Sequence, residues 1–216
     1  RDGNYPITNC LASDTKSITI NPLPTPAIVG TTIVCAGASA QTYTTTAVTG
    51  HTYLWSVVGG VISGSNTSNS VIVNWGNNPA GAQLQVVQTD ANFSTNCSTT
   101  NVLPILIQPL PSPNITPATN TCLGSTAIYS TPLGGSAYLW SVTNGAITTG
   151  QGTNTITVKW NDIGVNGSIQ VVQTISSSCN NTDLKTINFH PLPTPVVMGN
   201  ASSCELAATA LVYTCL

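Results

Sequence analysis

Seven cysteines are the residues of this sequence whose type and spacing most clearly suggest chemistry. They lie at positions 10, 35, 97, 122, 179, 204 and 215. Structural zinc sites use close C-x-x-C or Cys/His pairs, and the sequence contains none. Widely spaced cysteines in a 216-residue chain with only four basic and six acidic residues favour disulfide bonds instead. We therefore expect an extracellular protein without a metal or cofactor site.

Other residues able to catalyse a reaction are scarce and scattered. The two histidines, His51 and His190, are expected at the surface, and neither lies in a recognisable catalytic motif. Asp162 and Asp183 belong to no D-x-D-x-D-G calcium loop. The composition therefore predicts a protein that is not an enzyme.

Charge and polarity exclude two further classes of function. A formal net charge of -2 with four basic residues cannot neutralise a nucleic-acid backbone, and it gives no polybasic membrane patch. The most apolar stretch, from Val102 to Ile107, is interrupted by Pro104 and is too short to span a bilayer. With 34 Thr, 21 Ser and 21 Asn, the expected surface is neutral and polar. Neither nucleic-acid binding nor membrane insertion is predicted.

An internal repeat organises the chain. Pro-Leu-Pro begins at positions 22, 109 and 191, which gives spacings of 87 and 82 residues. The cysteines keep the same spacings: Cys10 to Cys97 and Cys35 to Cys122 are 87 residues apart, and Cys97 to Cys179 and Cys122 to Cys204 are 82 apart. The small change in period indicates loops of different length between fixed strands.

Local sequence gives the register of the repeat. Tyr-Leu-Trp-Ser-Val at 53–57 recurs at 138–142, and Gln-Val-Val-Gln-Thr at 85–89 recurs at 170–174. We predict two whole domains, at 22–108 and 109–190. Residues 1–21 would be the last strand of a preceding repeat, and residues 191–216 the start of a following one. The chain is thus expected to be part of a longer tandem array.

The pattern within one repeat predicts an all-β fold. Short alternating runs rich in Thr, Val and Ile are separated by Gly, Asn and Pro. In the first repeat they predict strands near 26–34, 39–46, 51–58, 60–63, 70–75, 82–90 and 98–107. Seven strands in about 85 residues are typical of an immunoglobulin-like β-sandwich.

The four tryptophans recur with the repeat and receive two predictions. Trp55 and Trp140 lie on the third strand, where sandwiches bury an indole, so they are expected in the core. Trp75 and Trp160 end a later strand just before a turn. We expect them to be partly exposed and treat them as candidates for ligand stacking.

The linkers predict an extended, semi-rigid string of domains. Each linker places prolines at alternate positions, at 22–26, 109–113 and 191–195. Such segments favour a stiff polyproline-II-like or edge-strand conformation.

Two disulfide pairings are open. One joins cysteines within a repeat, Cys35 with Cys97 and Cys122 with Cys179, closing loops of about 60 residues worth about 4 kcal/mol each. In immunoglobulin topology, however, these positions lie at opposite poles of the sandwich, beyond the reach of a disulfide. The alternative is a bond between neighbouring repeats, from Cys35 to Cys179. Cys10 and Cys204 would pair with cysteines outside the chain.

The combined motifs resemble a known repeat class. The order is Pro-Leu-Pro-x-Pro, Cys-x-Gly (35–37 and 122–124), Tyr-x-Trp-Ser-Val, Gly-Gln-Gly-Thr-Asn (150–154), Ile-x-Val-x-Trp and a late Cys. Essentially the whole chain is similar to the PKD-like, immunoglobulin-type tandem repeats of giant Bacteroidetes cell-surface proteins. The first repeat departs from the pattern at 64–69, and Glu205-Leu206 follows Cys204 without the glycine.

The resemblance implies a function in cell adhesion. Such repeats occur in proteins exported across the outer membrane by type IX secretion, including gliding-motility adhesins. It implies a structural or adhesive segment of an extracellular filament. The partners would be neighbouring repeats, other filament chains, surface glycans, or the export and motility machinery. The alternative is a carbohydrate-binding or spacer module of a secreted multidomain hydrolase.

Overall fold

The computed structural model describes residues 14–117, 120–161, 163–164, 166–175, 179–191, 196–198 and 214–215. The chain divides into two compact units. The first contains residues 1–32 and 37–106, and the second contains residues 33–36 and 107–216. In the described residues every regular element is a β-strand.

Eight strands cover the first repeat of the sequence. They are β1 (Ile33–Cys35), β2 (Gln41–Thr44), β3 (His51–Val58), β4 (Gly60–Ser63), β5 (Ser70–Trp75), β6 (Gln83–Asp90), β7 (Ser98–Pro104) and β8 (Leu106–Gln108). The first unit contains two three-stranded sheets, ordered β2-β5-β4 and β3-β6-β7, with antiparallel pairing throughout. Strand β1 pairs with β8.

The second unit repeats this arrangement. Its strands are β9 (Asn120–Cys122), β10 (Thr126–Ser130), β11 (Ala137–Thr143), β12 (Gly145–Thr149), β13 (Thr155–Trp160), β14 (Asn166–Thr174) and β15 (Asn180–His190). One sheet is ordered β10-β13-β12 and the other β11-β14-β15-β9. Only the β15–β9 pair is parallel among these described strands. The predicted all-β, immunoglobulin-like fold is confirmed.

The first predicted strand is shorter than expected. The pattern predicts a strand near 26–34, whereas β1 covers only Ile33–Cys35. The linker prolines 22, 24 and 26 have no N–H group to donate, so the chain there cannot form a regular ladder. A single antiparallel bridge remains, in which Val29 and Thr44 exchange both backbone hydrogen bonds at 2.8 and 3.0 Å.

An equivalent bridge occurs in both repeats. Val29 pairs with Thr44, and Thr116 pairs with Ser130. Strands β16 (Val197–Met198) and β17 (Thr214–Cys215) pair antiparallel, with Met198 opposite Thr214. Much of the predicted last strand of a preceding repeat lies outside the described residues, and residues 14–20 form no strand.

A tyrosine–tryptophan pair lies at the centre of each core. Trp75 donates from Nε1 to the Tyr43 hydroxyl at 3.0 Å, with the rings edge to face at a centroid distance of 6.1 Å. In the second unit, Trp160 donates to Tyr129 at 3.2 Å with a centroid distance of 5.9 Å. Edge-to-face packing adds a specific attraction to the burial of both rings. All four side chains are buried.

Burial of these phenols predicts a loss of stability in alkali. Burial raises the pKa of Tyr43 and Tyr129, and the tryptophan hydrogen bond opposes this only in part. Because tyrosine in the unfolded chain ionises near pH 10, the unfolded state loses its protons first. Stability should therefore be complete below about pH 10 and fall as the pH rises through the folded-state pKa. Urea unfolding across this range, with tyrosinate absorbance as a parallel readout, measures the effect; a flat profile would contradict it.

Candidate functional site

Polar side chains are buried at the ends of two equivalent strands. Alternate residues of β6 face the core, and this alternation continues past Val86 to Gln88 and Asp90. In β14 the same alternation leads from Val171 to Gln173. Because side chains alternate between the two faces of a strand, Gln88 and Gln173 fall on the inward face although they are polar.

The first glutamine belongs to a cleft with a histidine. Gln88 and His51 are joined from Nε2 to Nδ1 at 2.8 Å, and His51 Nε2 lies 3.6 Å from the Asp90 carboxylate. The imidazole is almost buried, contrary to the predicted surface position. The cleft has a volume of about 330 Å³ and is also lined by Leu23, Pro24, Thr25, Thr46 and Val48.

The second unit has a cleft at the equivalent place, lined by the next Pro-Leu-Pro linker. Its volume is about 320 Å³, and its walls are mainly apolar: Pro109, Leu110, Pro111, Pro132, Leu133 and Ile175. Gln173 and Ser112 form the polar part of the lining. The Gln173 Nε2 donates to the Pro132 carbonyl only at 3.5 Å, and the buried Gln173 Oε1 has no hydrogen-bond partner among the described residues.

The two glutamines should respond oppositely to removal of the amide. Gln173→Met removes a buried acceptor without a partner, so the second unit should gain up to about 1 kcal/mol or remain unchanged. Gln88→Met breaks a good hydrogen bond to His51 and should cost the first unit about 1 kcal/mol. Urea denaturation of both variants makes the comparison. A loss in Gln173→Met equal to that in Gln88→Met would show that Oε1 has a partner.

The tryptophans chosen for ligand stacking are buried. Trp75 is 3% exposed and Trp160 is 1% exposed, so neither ring face is available to a ligand. This corrects the expectation of partial exposure. Each indole faces the core because its Nε1 reaches a tyrosine hydroxyl on the neighbouring strand of the same sheet.

The tryptophans predicted for the core are also buried. Trp55 donates from Nε1 to the Ser68 carbonyl at 2.7 Å, and Trp140 donates to the Thr153 carbonyl at 2.8 Å. The loop from β4 to β5 in the first repeat and the loop from β12 to β13 in the second therefore receive the same indole donor.

One disulfide is formed by the four candidate cysteines. Cys35 is bonded to Cys179, with a Cα–Cα distance of 5.5 Å and a sequence separation of 144 residues. Cys97, half-buried, and Cys122, exposed, carry free thiols. The structure thus contains the pairing between neighbouring repeats and not the pairings within a repeat. Cys10 and Cys204 lie outside the described residues.

The remaining candidates among the described residues form no reactive cluster. His190 is an exposed residue at the end of β15, while the Asp183 carboxylate accepts a hydrogen bond from the Ile115 N–H at 2.7 Å. Within the described part of the chain, no three His, Cys, Asp or Glu side chains are grouped to hold a metal ion. Asp162 lies outside that part. None of the described residues forms a helix long and apolar enough to cross a membrane.

Comparison with known families identifies the repeat. The family model described as a PKD-like domain matches residues 21–102 and again residues 108–189. Two repeats of this kind were expected from the motifs. Among curated protein sequences, none matches the chain.

Solved structures with similar folds have low sequence identity. The fibronectin(III)-like modules of Clostridium thermocellum CbhA are 16% identical, cover 77% of this chain and 95% of their own, and give a TM-score of 0.35. Mouse cadherin-23 EC22-24 is 15% identical, with coverages of 80% and 67% and a TM-score of 0.34. The Bacteroides ovatus SGBP-B of a mixed-linkage glucan utilization locus, solved with a heptasaccharide, is 14% identical, with coverages of 79% and 48% and a TM-score of 0.30.

Proposed function

The chain belongs to the PKD-like domain family as two tandem repeats, and on this premise we propose that it is a structural and adhesive segment of a long cell-surface filament or adhesin. Tandem immunoglobulin-like domains with a disulfide indicate an extracellular or surface protein. Export across the outer membrane by type IX secretion, and a part in gliding motility, are proposed from the resemblance of the motifs to giant Bacteroidetes repeat proteins. The proposed role requires no catalysis.

The disulfide between Cys35 and Cys179 is the observation that carries this proposal. Cys35 belongs to the first family match and Cys179 to the second, so a covalent bond supplements the polypeptide between them. When the ends of the chain are pulled apart, the residues between the two cysteines cannot be extended while the bond is intact. Such a bond limits extension under load, as a filament that transmits force requires.

Single-molecule pulling tests the mechanical part of the proposal. The bond closes a loop with a sequence separation of 144 residues, which would span about 500 Å when fully extended. The oxidised chain should therefore extend about 500 Å less than the reduced chain, or than a Cys35→Ser variant. Equal lengths before and after reduction would overturn the claim that the bond limits extension.

Immunolabelling tests the surface location. Antibodies raised against this chain should label intact, unpermeabilised cells of the organism that makes it, along thin appendages, and should reduce attachment to surfaces. Labelling that needs permeabilisation would overturn the proposal.

Complete sequencing of the gene supplies a second test, because dozens of similar repeats are expected and a linked hydrolase domain would favour the spacer alternative.

The carbohydrate-binding alternative has lost its proposed contacts. Trp75 and Trp160 are in the core, and neither cleft is lined by Trp, Tyr or Phe among the described residues. Glycan-array binding by the full chain, weakened by Gln173→Met but not by the exposed Leu139→Ala, would restore this alternative. Without such binding, contacts with glycans would have to be made by the neutral Thr, Ser and Asn surface.

A further inference from the structure

Each repeat carries two cysteines in constant positions. A leading cysteine ends the first strand, at Cys35 and Cys122, and a trailing cysteine precedes the last strand, at Cys97 and Cys179. By the repeat spacing of the sequence, Cys204 is a further leading cysteine and Cys10 a further trailing one. The observed bond joins the leading cysteine of one repeat to the trailing cysteine of the next. Applied to all six positions, this rule allows one bond within the chain, and that bond is Cys35–Cys179.

The backbone holds equivalent cysteines in equivalent surroundings. After the leading cysteines, Ala36 N donates to Gln108 O at 2.8 Å, and Leu123 N donates to His190 O at 3.0 Å. Both leading cysteines are therefore held beside the end of the last strand of their own repeat.

The trailing cysteines are also held alike. Asp90 N donates to Cys97 O and Ile175 N donates to Cys179 O, each at 2.9 Å, which closes the hairpin before the last strand. Cys97 and Cys179 thus occupy equivalent positions in their hairpins, although of these two only Cys179 forms a disulfide.

We infer that the two free thiols are the open ends of a disulfide ladder: Cys122 bonds the trailing cysteine of the following repeat, and Cys97 bonds the leading cysteine of the preceding repeat. The partner is a repeat of the same polypeptide, because a tethered neighbour supplies an effective concentration in the millimolar range. The inference rests on the proposed function in one respect, since it requires further repeats.

The chemistry of each rung is ordinary thiol–disulfide exchange. Two thiols form one S–S bond and release two protons and two electrons. A disulfide oxidant, such as oxidised glutathione, accepts them and is reduced to two thiols. An oxidising compartment provides such an oxidant.

The first arm of the test uses the chain as it is. After oxidation with glutathione, alkylation and non-reducing peptic mapping should give one peptide pair, Cys35 with Cys179, and alkylated Cys97 and Cys122. A bond between Cys97 and Cys122, either within one chain or between two copies, would overturn the inference. So would a bond between Cys35 and Cys97.

The second arm lengthens the chain by one repeat. A copy of residues 109–190 inserted after His190 preserves the natural His-Pro junction. Two bonds are now expected, Cys35–Cys179 and Cys122 with the trailing cysteine of the inserted copy, while Cys97 remains free. Cys179→Ser in the inserted copy alone should remove the second bond and leave the first. A free Cys122 in the lengthened chain would overturn the ladder.

A second lengthened chain, with the first repeat duplicated, controls for the possibility that the added second repeat does not fold. Duplicating residues 22–108 instead should join the first Cys35 to the second Cys97 and the second Cys35 to Cys179. Because these chains contain an added repeat by design, their disulfide pairing tests the ladder whether or not the natural protein is a filament. Either hypothesis can therefore be overturned without the other. Gene sequencing and cell labelling test the filament without reference to disulfide pairing.

Discussion

Replacing Cys179 by serine should destabilise the second unit by about 2–5 kcal/mol. The upper value is the chain-entropy estimate for a closed loop of 144 residues, and the lower is typical of loops shortened by residual structure. Cys179 is also buried beside the β14–β15 hairpin, so serine would place a hydroxyl there. Hydrogen exchange of the β14 amides (Asn166–Thr174) in urea measures the change in the free energy of unfolding.

Cys97→Ser is the matched control for this experiment. Cys97 occupies the equivalent hairpin of the first repeat but has a free thiol, so its replacement should change stability by no more than about 0.5 kcal/mol. Reduction of the native chain should reproduce the loss seen in Cys179→Ser and should have no further effect on that variant. Equal losses in the two serine variants would contradict a stabilising role of the bond.

The sequence predicts the repeat and the fold class because both depend on local pattern and regular spacing. Strands β3, β4 and β5 begin and end at the predicted residues, where alternation is strong and glycine or asparagine separates the runs. The first strand was predicted too long, at 26–34, because the alternating pattern does not show that the linker prolines lack the N–H groups that a strand needs. The predicted domain boundaries stay predictions.

The sequence leaves the disulfide pairing open because no local pattern distinguishes the two alternatives. Both alternatives use cysteines with the same repeat spacing, and chain entropy favours neither strongly: lengthening a loop from 60 to 144 residues changes the estimate by less than about 1 kcal/mol. The structure distinguishes them directly: Cys35 is bonded to Cys179, and Cys97 has a free thiol.

The burial of Gln88 and Gln173 could have been predicted from the alternation along their strands. Gln88 and Gln173 continue the inward alternation that begins with Leu84 and Ile169, so strand period alone predicts their burial. The repeated Gln-Val-Val-Gln-Thr sets the register of the repeat, and the same repetition places a glutamine at an inward position twice.

Different residues can also perform one task in the two repeats. Gln151 contacts the Trp140 backbone through both ends of its amide, donating to the carbonyl at 2.9 Å and accepting from the N–H at 3.2 Å. In the first repeat Asn66 donates to the Trp55 carbonyl at 3.2 Å and accepts the Trp55 N–H on its own backbone oxygen at 2.9 Å. The departure at 64–69 from the family turn therefore changes the residue and keeps the contact.

The expectation of exposed tryptophans failed because their partners are distant in sequence. Tyr43 precedes Trp75 by 32 residues, so no local period relates them. The repeat itself contained the missing evidence: Tyr129 and Trp160 recur 31 residues apart on the corresponding strands. A pair of aromatic residues that recurs together is better explained by mutual packing than by two separate ligand sites.

Trp160→Ala should unfold or nearly unfold the second unit. The indole is 1% exposed and lies against Phe189 at a centroid distance of 5.3 Å, so its removal should cost about 3–5 kcal/mol. The backbone has adapted to this ring, because a Cβ on Gly145 or Gly167 would lie 2.7 or 2.6 Å from it. Since small domains are stable by only about 5–15 kcal/mol, this loss is a large share of the total.

Leu139→Ala separates this core effect from a change at the surface. Leu139 is 64% exposed and lines neither cleft, so its replacement should alter stability by less than about 0.5 kcal/mol. Urea unfolding of both variants, followed by exchange of the β14 amides, makes the comparison. If Trp160→Ala remained as stable as Leu139→Ala and lost glycan binding, the indole would be a ligand platform after all; if it unfolds, the tryptophan that ends this strand belongs to the core.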